Sequence, residues 1–194
     1  MARASPEQMI LLEQLRKDVL EVMHGLEDLV SFDLNIVSEV GLGLLRKSST
    51  QRHGVTRWTR STEGIQLETV DLHPVLLEPD WNDYARFVLF HEFLHAIGLR
   101  SHNQTFRWHE ALWPDSVGPT RGVEFTDYMR MKRAKWFWVC SQCEKRYPRQ
   151  RAGKGKYQCR TCRCRLEDVP IVDEGGYRKN VTTSWGGVYF ESLS

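Results

Sequence analysis

One apolar run, residues 82–99, constrains the fold more than any other part of the chain. The run is almost continuously apolar, and its second half contains His91, Glu92 and His95. A run of this length and composition predicts a helix that the rest of its domain buries, and Gly98 is the expected end of that helix. Buried imidazole and carboxylate groups cost free energy unless each has a partner. Three of them side by side therefore indicate a shared ligand.

His91, Glu92 and His95 form an HExxH pattern. Side chains four positions apart lie on one helix face, so both imidazoles can bind a single metal ion. Two neutral imidazoles and a third ligand leave zinc one open position for water, and zinc lowers the pKa of that water to about 7. Glu92 is then placed to act as the general base. The pattern predicts a catalytic zinc ion, with a chance match on a core helix as the alternative.

The third zinc ligand has two histidine candidates. We expect it to be His102, because this residue follows a short loop in which the chain can turn back to the metal. His109 is the alternative and lies in a second predicted helix, residues 105–112. The histidine that does not bind zinc would orient a ligand or stabilise charge in the reaction. Glu110 is a weaker candidate ligand, of the HExxH-plus-Glu type.

The chain before this helix predicts one amphipathic helix and then a small twisted sheet. Ser5-Pro6-Glu7-Gln8 has the features of a helix start, and apolar residues recur at helical spacing to about residue 30. Short apolar runs predict the strands, at residues 32–40, 41–45, 54–58 and 65–72. We expect the last of these to face the substrate and to bind an extended peptide through main-chain hydrogen bonds.

All five cysteines lie between Cys140 and Cys164. Two CxxC pairs, separated by fifteen residues, account for four of them: Cys140, Cys143, Cys159 and Cys162. This is the spacing of a structural zinc site with four cysteine ligands, and so small a module has too little core to fold without metal. Cys164 is either a free thiol or a replacement for Cys162. The sequence thus predicts two zinc ions, one catalytic and one structural, and no small-molecule cofactor.

Basic residues are concentrated in this cysteine-containing segment, although the net charge of the chain is only +2. Residues 130–165 contain thirteen Lys and Arg and a single acidic residue, Glu144. Such a block predicts a polyanionic partner, with nucleic acid first. The candidate contacts are Lys145, Arg146, Arg149, Arg151, Lys154, Lys156, Arg160 and Arg163. The aromatic residues between them are interpreted first as packing residues, with stacking on unpaired bases as the alternative.

Together these patterns predict an α+β fold in three segments. Residues 1–129 form a metalloprotease domain with an N-terminal helix, a small twisted sheet and the HExxH helix. A basic zinc ribbon follows at residues 130–168, and residues 169–194 form a tail or a small hairpin. No apolar run approaches the roughly 20 residues of a membrane span, and the N-terminus lacks a secretion signal. We therefore expect a cytoplasmic protein, associated with a nucleoid or nucleus, without a membrane partner.

The order of these motifs resembles the SprT-like (Spartan-type) zinc metalloprotease family. The resemblance covers about residues 32–166 and rests on Ile65-Gln66-Leu67, the HExxH helix, residues 102–106 and the four-cysteine ribbon, in that order. One departure is Asn103, which stands where the family usually has glycine after its third histidine.

The resemblance implies a zincin-like fold, zinc bound by His91, His95 and His102, and Glu92 as general base. It also implies an endopeptidase that acts on DNA-bound or DNA-crosslinked proteins, in DNA–protein crosslink repair, with DNA of single-stranded character as partner. Two alternatives stay open. One is a nucleic-acid-binding protein without catalysis, whose HExxH zinc is structural, and the other is an intracellular metallopeptidase that is independent of DNA.

Overall fold

The structure is a computed structural model that describes residues 4–49, 51–62 and 64–171. The chain divides into two compact units, one ending at Gly122 and the other beginning at Val123. The predicted boundary at residue 129 lies inside a helix, Gly122–Arg133. Most of the predicted tail, residues 172–194, lies outside the described residues. In the described part of the chain, no helix has both the length and the apolar character that crossing a membrane requires.

The predicted α+β fold is confirmed in the residues that the structure describes. Helices and strands of the first unit are, in chain order, α1 (Pro6–His24), α2 (Asn35–Glu39), β1 (Gly41–Leu44), β2 (Gly54–Ser61), β3 (Gly64–Leu72), α3 (Asn82–Ala96) and α4 (Gln104–Glu110). The following part of the chain contains α5 (Gly122–Arg133), β4 (Trp136–Cys140), β5 (Arg146–Arg149) and β6 (Leu166–Pro170).

Helix α1 begins as its sequence predicts and ends earlier than expected. The Ser5 side chain accepts a hydrogen bond from the Gln8 N–H, and the Gln8 side chain accepts one from the Ser5 N–H, which together form a capping box. The helix stops before Gly25 rather than near residue 30. Its apolar face packs against α3 and β1, and the residues that it buries are Leu12, Leu15, Val19 and Met23.

The predicted strand at residues 32–40 is wrong, because this segment contains the short helix α2. Val37 and Val40 are buried three positions apart while Ile36 is exposed, so burial follows a helical rather than a two-residue period. The buried Arg16 of α1 donates a hydrogen bond of 2.7 Å to the Val40 carbonyl oxygen. This bond satisfies one of the carbonyl groups that a helix end leaves without an intrahelical partner.

The first sheet has the strand order β1-β3-β2, with β1 parallel and β2 antiparallel to β3. Strand β3 is therefore central; β2 pairs with it along its length, whereas β1 pairs only with its residues 69–72. The expectation that residues 65–72 bind an extended peptide is therefore wrong for residues 69–72, where both edges are paired, and stays a prediction for residues 65–68. Among the described strands, β2 lies at one edge of this sheet. Its residues line a pocket together with His91, Glu92 and His95.

The second unit contains an antiparallel sheet with the order β5-β4-β6. The aromatic run at residues 136–138 begins its central strand. Trp138 stacks on Tyr157 with ring centroids 4.1 Å apart, and its Nε1–H donates to the Arg151 carbonyl oxygen at 3.1 Å. Trp138 thus packs within the ribbon.

Candidate metal centres

The end of α3 positions the first two histidines, and Gly98 makes that end possible. Gly98 has a φ of +115°, a conformation that residues with a Cβ rarely adopt. The Gly98 N–H bonds to the His95 carbonyl at 3.1 Å, and the Leu99 N–H bonds to the Leu94 carbonyl at 3.1 Å. This pair of bonds is a Schellman motif, and it confirms the predicted helix end. The turn also brings the Leu99 carbonyl oxygen to 2.8 Å from His95 Nδ1.

The chain then returns to α3 through a second capped helix. Asn103 is the N-cap of α4, and its Oδ1 accepts a hydrogen bond of 2.9 Å from the Phe106 N–H. Asparagine is among the preferred residues at this position. The departure from the family's usual glycine therefore has a structural role here. His102 is held between the turn that follows α3 and this cap.

The predicted ligands His91, His95 and His102 come together in the structure. The Nε2 atom of His102 lies 3.1 Å from the Nε2 atom of His95 and 3.1 Å from that of His91. A tetrahedral ion with nitrogen ligands at about 2.0–2.1 Å requires nitrogen–nitrogen distances of about 3.3–3.4 Å. The spacing of these atoms therefore fits one small ion held by three imidazoles.

The far sides of two rings support the same conclusion. His91 Nδ1 lies 2.5 Å from Glu110 Oε1, and His95 Nδ1 lies 2.8 Å from the Leu99 carbonyl oxygen. Both partners are acceptors, so each Nδ1 carries the proton and each Nε2 presents a lone pair. His102 has at most one Nε2 proton to offer to these two lone pairs. A cation in the centre satisfies all three nitrogen atoms at once.

Glu110 contacts the Nδ1 atom of His91, on the side of the ring that faces away from the histidine cluster, and it is not part of the group of three candidate ligands. Its second oxygen accepts a hydrogen bond of 2.7 Å from Arg107, one helical turn earlier on α4. Burial acts to raise the pKa of Glu110, but the hydrogen bonds from His91 and Arg107 outweigh it, and the pKa is lowered. The carboxylate stays ionised and fixes the orientation of the His91 ring, as carboxylates commonly do behind zinc-binding histidines.

His109 does not take this supporting position. It is buried, its Nδ1 lies 2.8 Å from the Thr105 carbonyl oxygen, and its ring packs edge-on against Phe32 at 5.4 Å. The structure thus places His109 in the packing of α4. Glu110, its neighbour in the sequence, reaches the cluster.

Glu92 is buried beside the histidine cluster, with 6% of its surface exposed. The Thr56 hydroxyl on β2 lies 2.7 Å from Glu92 Oε2 and 2.9 Å from the Glu92 carbonyl oxygen. Burial raises the pKa of Glu92, while the hydrogen bonds from Thr56 act in the opposite direction. A raised pKa suits a carboxylate that must accept and release a proton near neutral pH.

Gly54 leaves the space that Glu92 occupies. A Cβ at this position of β2 would lie 2.7 Å from Glu92 Cγ and 2.8 Å from Oε1. Contacts of that length do not occur between such atoms, so any larger residue at position 54 would displace the carboxylate. Thr56 and Gly54 together fix Glu92 from the edge strand of the sheet. Sequence reasoning missed both residues, because the pairing that brings them to α3 leaves no pattern in the sequence.

The histidine cluster opens into a pocket of about 690 Å³. The edge strand and α3 contribute its walls, and Arg100 lies over the Trp58 ring at its rim, 4.1 Å from the ring centroid. His91 and His95 are half-buried, and His102 is exposed. A metal ion held by these residues would keep one face open to the pocket.

The predicted cysteine ligands also form one cluster. The four Sγ atoms of Cys140, Cys143, Cys159 and Cys162 lie within 4.8 Å of one another. The Cys143 and Cys159 sulfur atoms are 3.7 Å apart, close to the roughly 3.8 Å that a tetrahedral ion with sulfur ligands at about 2.3 Å requires. This second candidate metal site has four thiols and no open position.

The two cysteine pairs adopt the same turn. In each pair the N–H of the second cysteine points at the sulfur of the first, at 3.4 Å for Cys143 and 3.5 Å for Cys162. The next residue in each turn, Glu144 or Arg163, has a positive φ of 55° or 60°. The Cys162 N–H, followed by the Tyr147 hydroxyl, lowers the pKa of Cys159 to about 6. Each turn thus favours the thiolate form of its first cysteine, since the N–H of Cys143 likewise lowers the pKa of Cys140.

Cys164 lies outside this group of four, although its sulfur is 3.2 Å from that of Cys140. The eight predicted nucleic-acid contacts, residues 145–163, all belong to the ribbon. Seven are exposed, and Arg149 is half-buried. Arg149 lies over the Trp138 ring, 4.9 Å from its centroid.

Comparisons with models of protein families, with curated proteins and with solved structures find no match to this chain. The resemblance to the SprT-like family therefore rests on the order of the motifs, and the chemistry of the site rests on its geometry.

Proposed function

We propose that the chain is a zinc-dependent endopeptidase. One observation supports the proposal most directly. Three histidine Nε2 atoms lie together in the lining of an open pocket, next to the buried carboxylate of Glu92. Structural zinc sites are closed by four protein ligands, whereas catalytic sites keep one position free. The two clusters of this chain differ in that way. The four-cysteine cluster has the donor set of a structural zinc, and the histidine cluster that of a catalytic one.

Zinc is the proposed ion at both clusters because imidazole and thiolate ligands in tetrahedral arrangement favour it. Bound to the histidines, it would supply a Lewis acid for a peptide carbonyl and lower the pKa of water. The side chains supply the rest of the chemistry. Glu92 takes a proton from the attacking water and returns it to the leaving amine. Thr56 holds that carboxylate in place, and Glu110 and the Leu99 carbonyl hold the rings of His91 and His95.

An extended peptide is the proposed substrate, and β2 is the proposed binding strand. The free edge of β2 offers main-chain donors and acceptors beside the pocket. Pairing of a peptide with such an edge depends little on side-chain identity, so many sequences can bind. This property suits an enzyme that removes varied proteins.

The proposed substrates are proteins bound or crosslinked to DNA, and the ribbon is the proposed DNA contact. Support comes from the exposed basic residues of the ribbon and from the resemblance to the SprT-like family. Contacts of this kind go to phosphates and do not read the sequence. A role in DNA–protein crosslink repair follows from the same resemblance.

Replacement of the proposed base tests the catalytic part of this account. Glu92→Gln should keep both metal ions and the fold, because Glu92 is not a ligand, and should slow cleavage of a protein substrate by about 10²–10⁴-fold. The measurement is the appearance of peptide fragments, with metal content determined on the same samples. Cleavage by Glu92→Gln at the wild-type rate would contradict the proposal.

A further inference from the structure

A second cavity, of about 630 Å³, lies within the second unit, next to the four-cysteine cluster, since Tyr147 lines it and has its hydroxyl 3.6 Å from Cys159 Sγ. Helix α5 forms one wall and strand β5 another, and one side chain comes from the second cysteine turn. We call this cavity the arginine pocket. Its lining residues with charged side chains are Asp127, Arg130, Arg146, Arg149 and Arg160.

The charge of the arginine pocket is strongly unbalanced. Four guanidinium groups face one carboxylate, and Asp127 pairs with Arg130 at 2.9 Å. Burial lowers the pKa of Arg149, and the positive charges of Arg130 and Arg160 lower it further. The guanidinium groups are thus close enough to repel one another. Like charges gathered in one concavity destabilise the protein unless an anion accompanies them.

The arrangement of the arginines indicates which kind of anion the pocket can bind. Four arginines on three separate elements line it, and this arrangement suits a compact group with several acceptor oxygens. A phosphate monoester has three terminal oxygens and a charge of about −1.5 to −2 at neutral pH, whereas an internal phosphodiester has a charge of about −1. Arginines on several sides of one cavity therefore favour a monoester over the internal phosphates of a nucleic-acid strand.

A neighbouring cavity of about 330 Å³ shares Tyr147, Arg149 and Arg160 with the arginine pocket. Tyr157 and Gln158 line its other side. A nucleoside attached to the bound phosphate therefore has space next to it, without leaving the second unit.

We propose that the arginine pocket binds a terminal phosphate monoester, and that the end of a nucleic-acid strand supplies it. This inference rests on the proposed nucleic-acid binding of the ribbon and adds a preference for phosphorylated strand ends. It also adds Arg130, which lies on α5, to the residues that contact nucleic acid. A free nucleotide carries the same chemical group and is the alternative source that the experiment must separate.

The test compares oligonucleotides that differ only at their ends. Binding of the full-length protein to one single-stranded DNA sequence is measured by fluorescence anisotropy at fixed salt, with a 5′-phosphate, a 3′-phosphate or hydroxyl groups at both ends. We expect one phosphorylated form to bind about tenfold more tightly than the hydroxyl form, as two or more charge-assisted hydrogen bonds allow. Adenosine monophosphate and inorganic phosphate serve as free competitors.

Three single variants locate the effect. Arg149→Gln and Arg160→Gln should bring the affinity ratio of phosphorylated to hydroxyl DNA close to one. Arg151→Gln is the matched control, since Arg151 is exposed on the same ribbon and lies outside the pocket. It should weaken binding of both oligonucleotides equally and keep the ratio. Metal content and circular dichroism check that each variant is folded, and the exposed Arg160 provides a test if Arg149→Gln is unstable.

The outcomes separate this inference from the proposed function. Equal binding of phosphorylated and hydroxyl DNA by the wild type would overturn the inference and leave DNA binding intact. Binding of adenosine monophosphate without any DNA binding, lost in Arg160→Gln, would support the phosphate site and overturn the strand end as its source. Absence of binding to every probe would overturn both the inference and the proposed DNA binding.

Discussion

The ring nitrogens that face away from the histidine cluster determine what the cluster can bind. Glu110 and the Leu99 carbonyl each accept a hydrogen bond from an Nδ1–H group, which turns the Nε2 lone pairs of His91 and His95 towards His102. A cluster of surface histidines without such acceptors would satisfy itself with water and with its own hydrogen bonds. The acceptors therefore distinguish a metal site from a chance group of imidazoles.

Glu110→Gln tests this arrangement. Glutamine keeps the size of the side chain but removes the charge behind His91, so affinity for the metal of the histidine cluster should fall about 10–100-fold. Cleavage should be lost at limiting zinc and largely restored at excess zinc, unlike in Glu92→Gln. Competition with a chelator measures the affinity, and Glu68→Gln, at an exposed position on β3, is the control. Unchanged zinc affinity would show that Glu110 does not support the ligand.

Thr56→Val tests the residue that holds the base. Burial raises the pKa of Glu92, and the Thr56 hydroxyl lowers it by bonding to the carboxylate. Loss of the hydroxyl should raise the pKa further. Only the ionised carboxylate accepts a proton, so the acid limb of the profile of kcat/KM against pH should move to higher pH.

Thr56→Ser keeps the hydroxyl and should keep the wild-type profile. The two variants together separate the hydrogen bond from mere packing at position 56. An acid limb that stays in place in Thr56→Val would mean that the hydroxyl does not tune Glu92.

Among the helices and strands, sequence patterns predict the features that depend on local residue types. They miss the features that depend on which strands pair. The capping box of α1, the burial of α3 and its end at Gly98 all follow from local residue types. The sequence predicts a strand at residues 32–40 because a short apolar segment fits both the two-residue period of a strand and the 3.6-residue period of a helix. Only packing against α1 distinguishes the helix from the strand. The central position of β3 depends on which strands pair. The pairing of β2 with β3 also places Thr56 beside Glu92.

The four-cysteine ribbon allows a prediction about its surplus thiol. Cys143→Ser should lose one of the two metal ions and unfold the ribbon, because this residue belongs to the group of four thiols. Cys164→Ser should keep both ions, although its sulfur is only 3.2 Å from that of Cys140. Elemental analysis of metal per chain measures the difference. Loss of an ion in Cys164→Ser would make Cys164 a ligand.

At the scale of the whole molecule, each of the two units contains its own candidate metal site. Both ligand sets could be predicted from the sequence, since metal binding requires a small number of residue types at narrow spacing. The residues that tune the sites could not be predicted, because Thr56, Gly54 and Glu110 act through contacts between elements. The proposed binding to DNA depends on the overall charge of a surface, and only the basic residues of the ribbon support it so far.

The central proposal is that the histidine cluster cleaves proteins and that the ribbon brings it to proteins on DNA. The most direct measurement is the rate at which the purified chain, loaded with zinc, cleaves a DNA-binding protein with and without single-stranded DNA. Cleavage should be faster with DNA, because the ribbon and the substrate then bind the same strand, and Glu92→Gln should be slower by about 10²–10⁴-fold under both conditions. A zinc-loaded chain that binds DNA tightly and yet leaves every protein intact would contradict the proposal, and would favour a nucleic-acid-binding protein whose histidine site is structural.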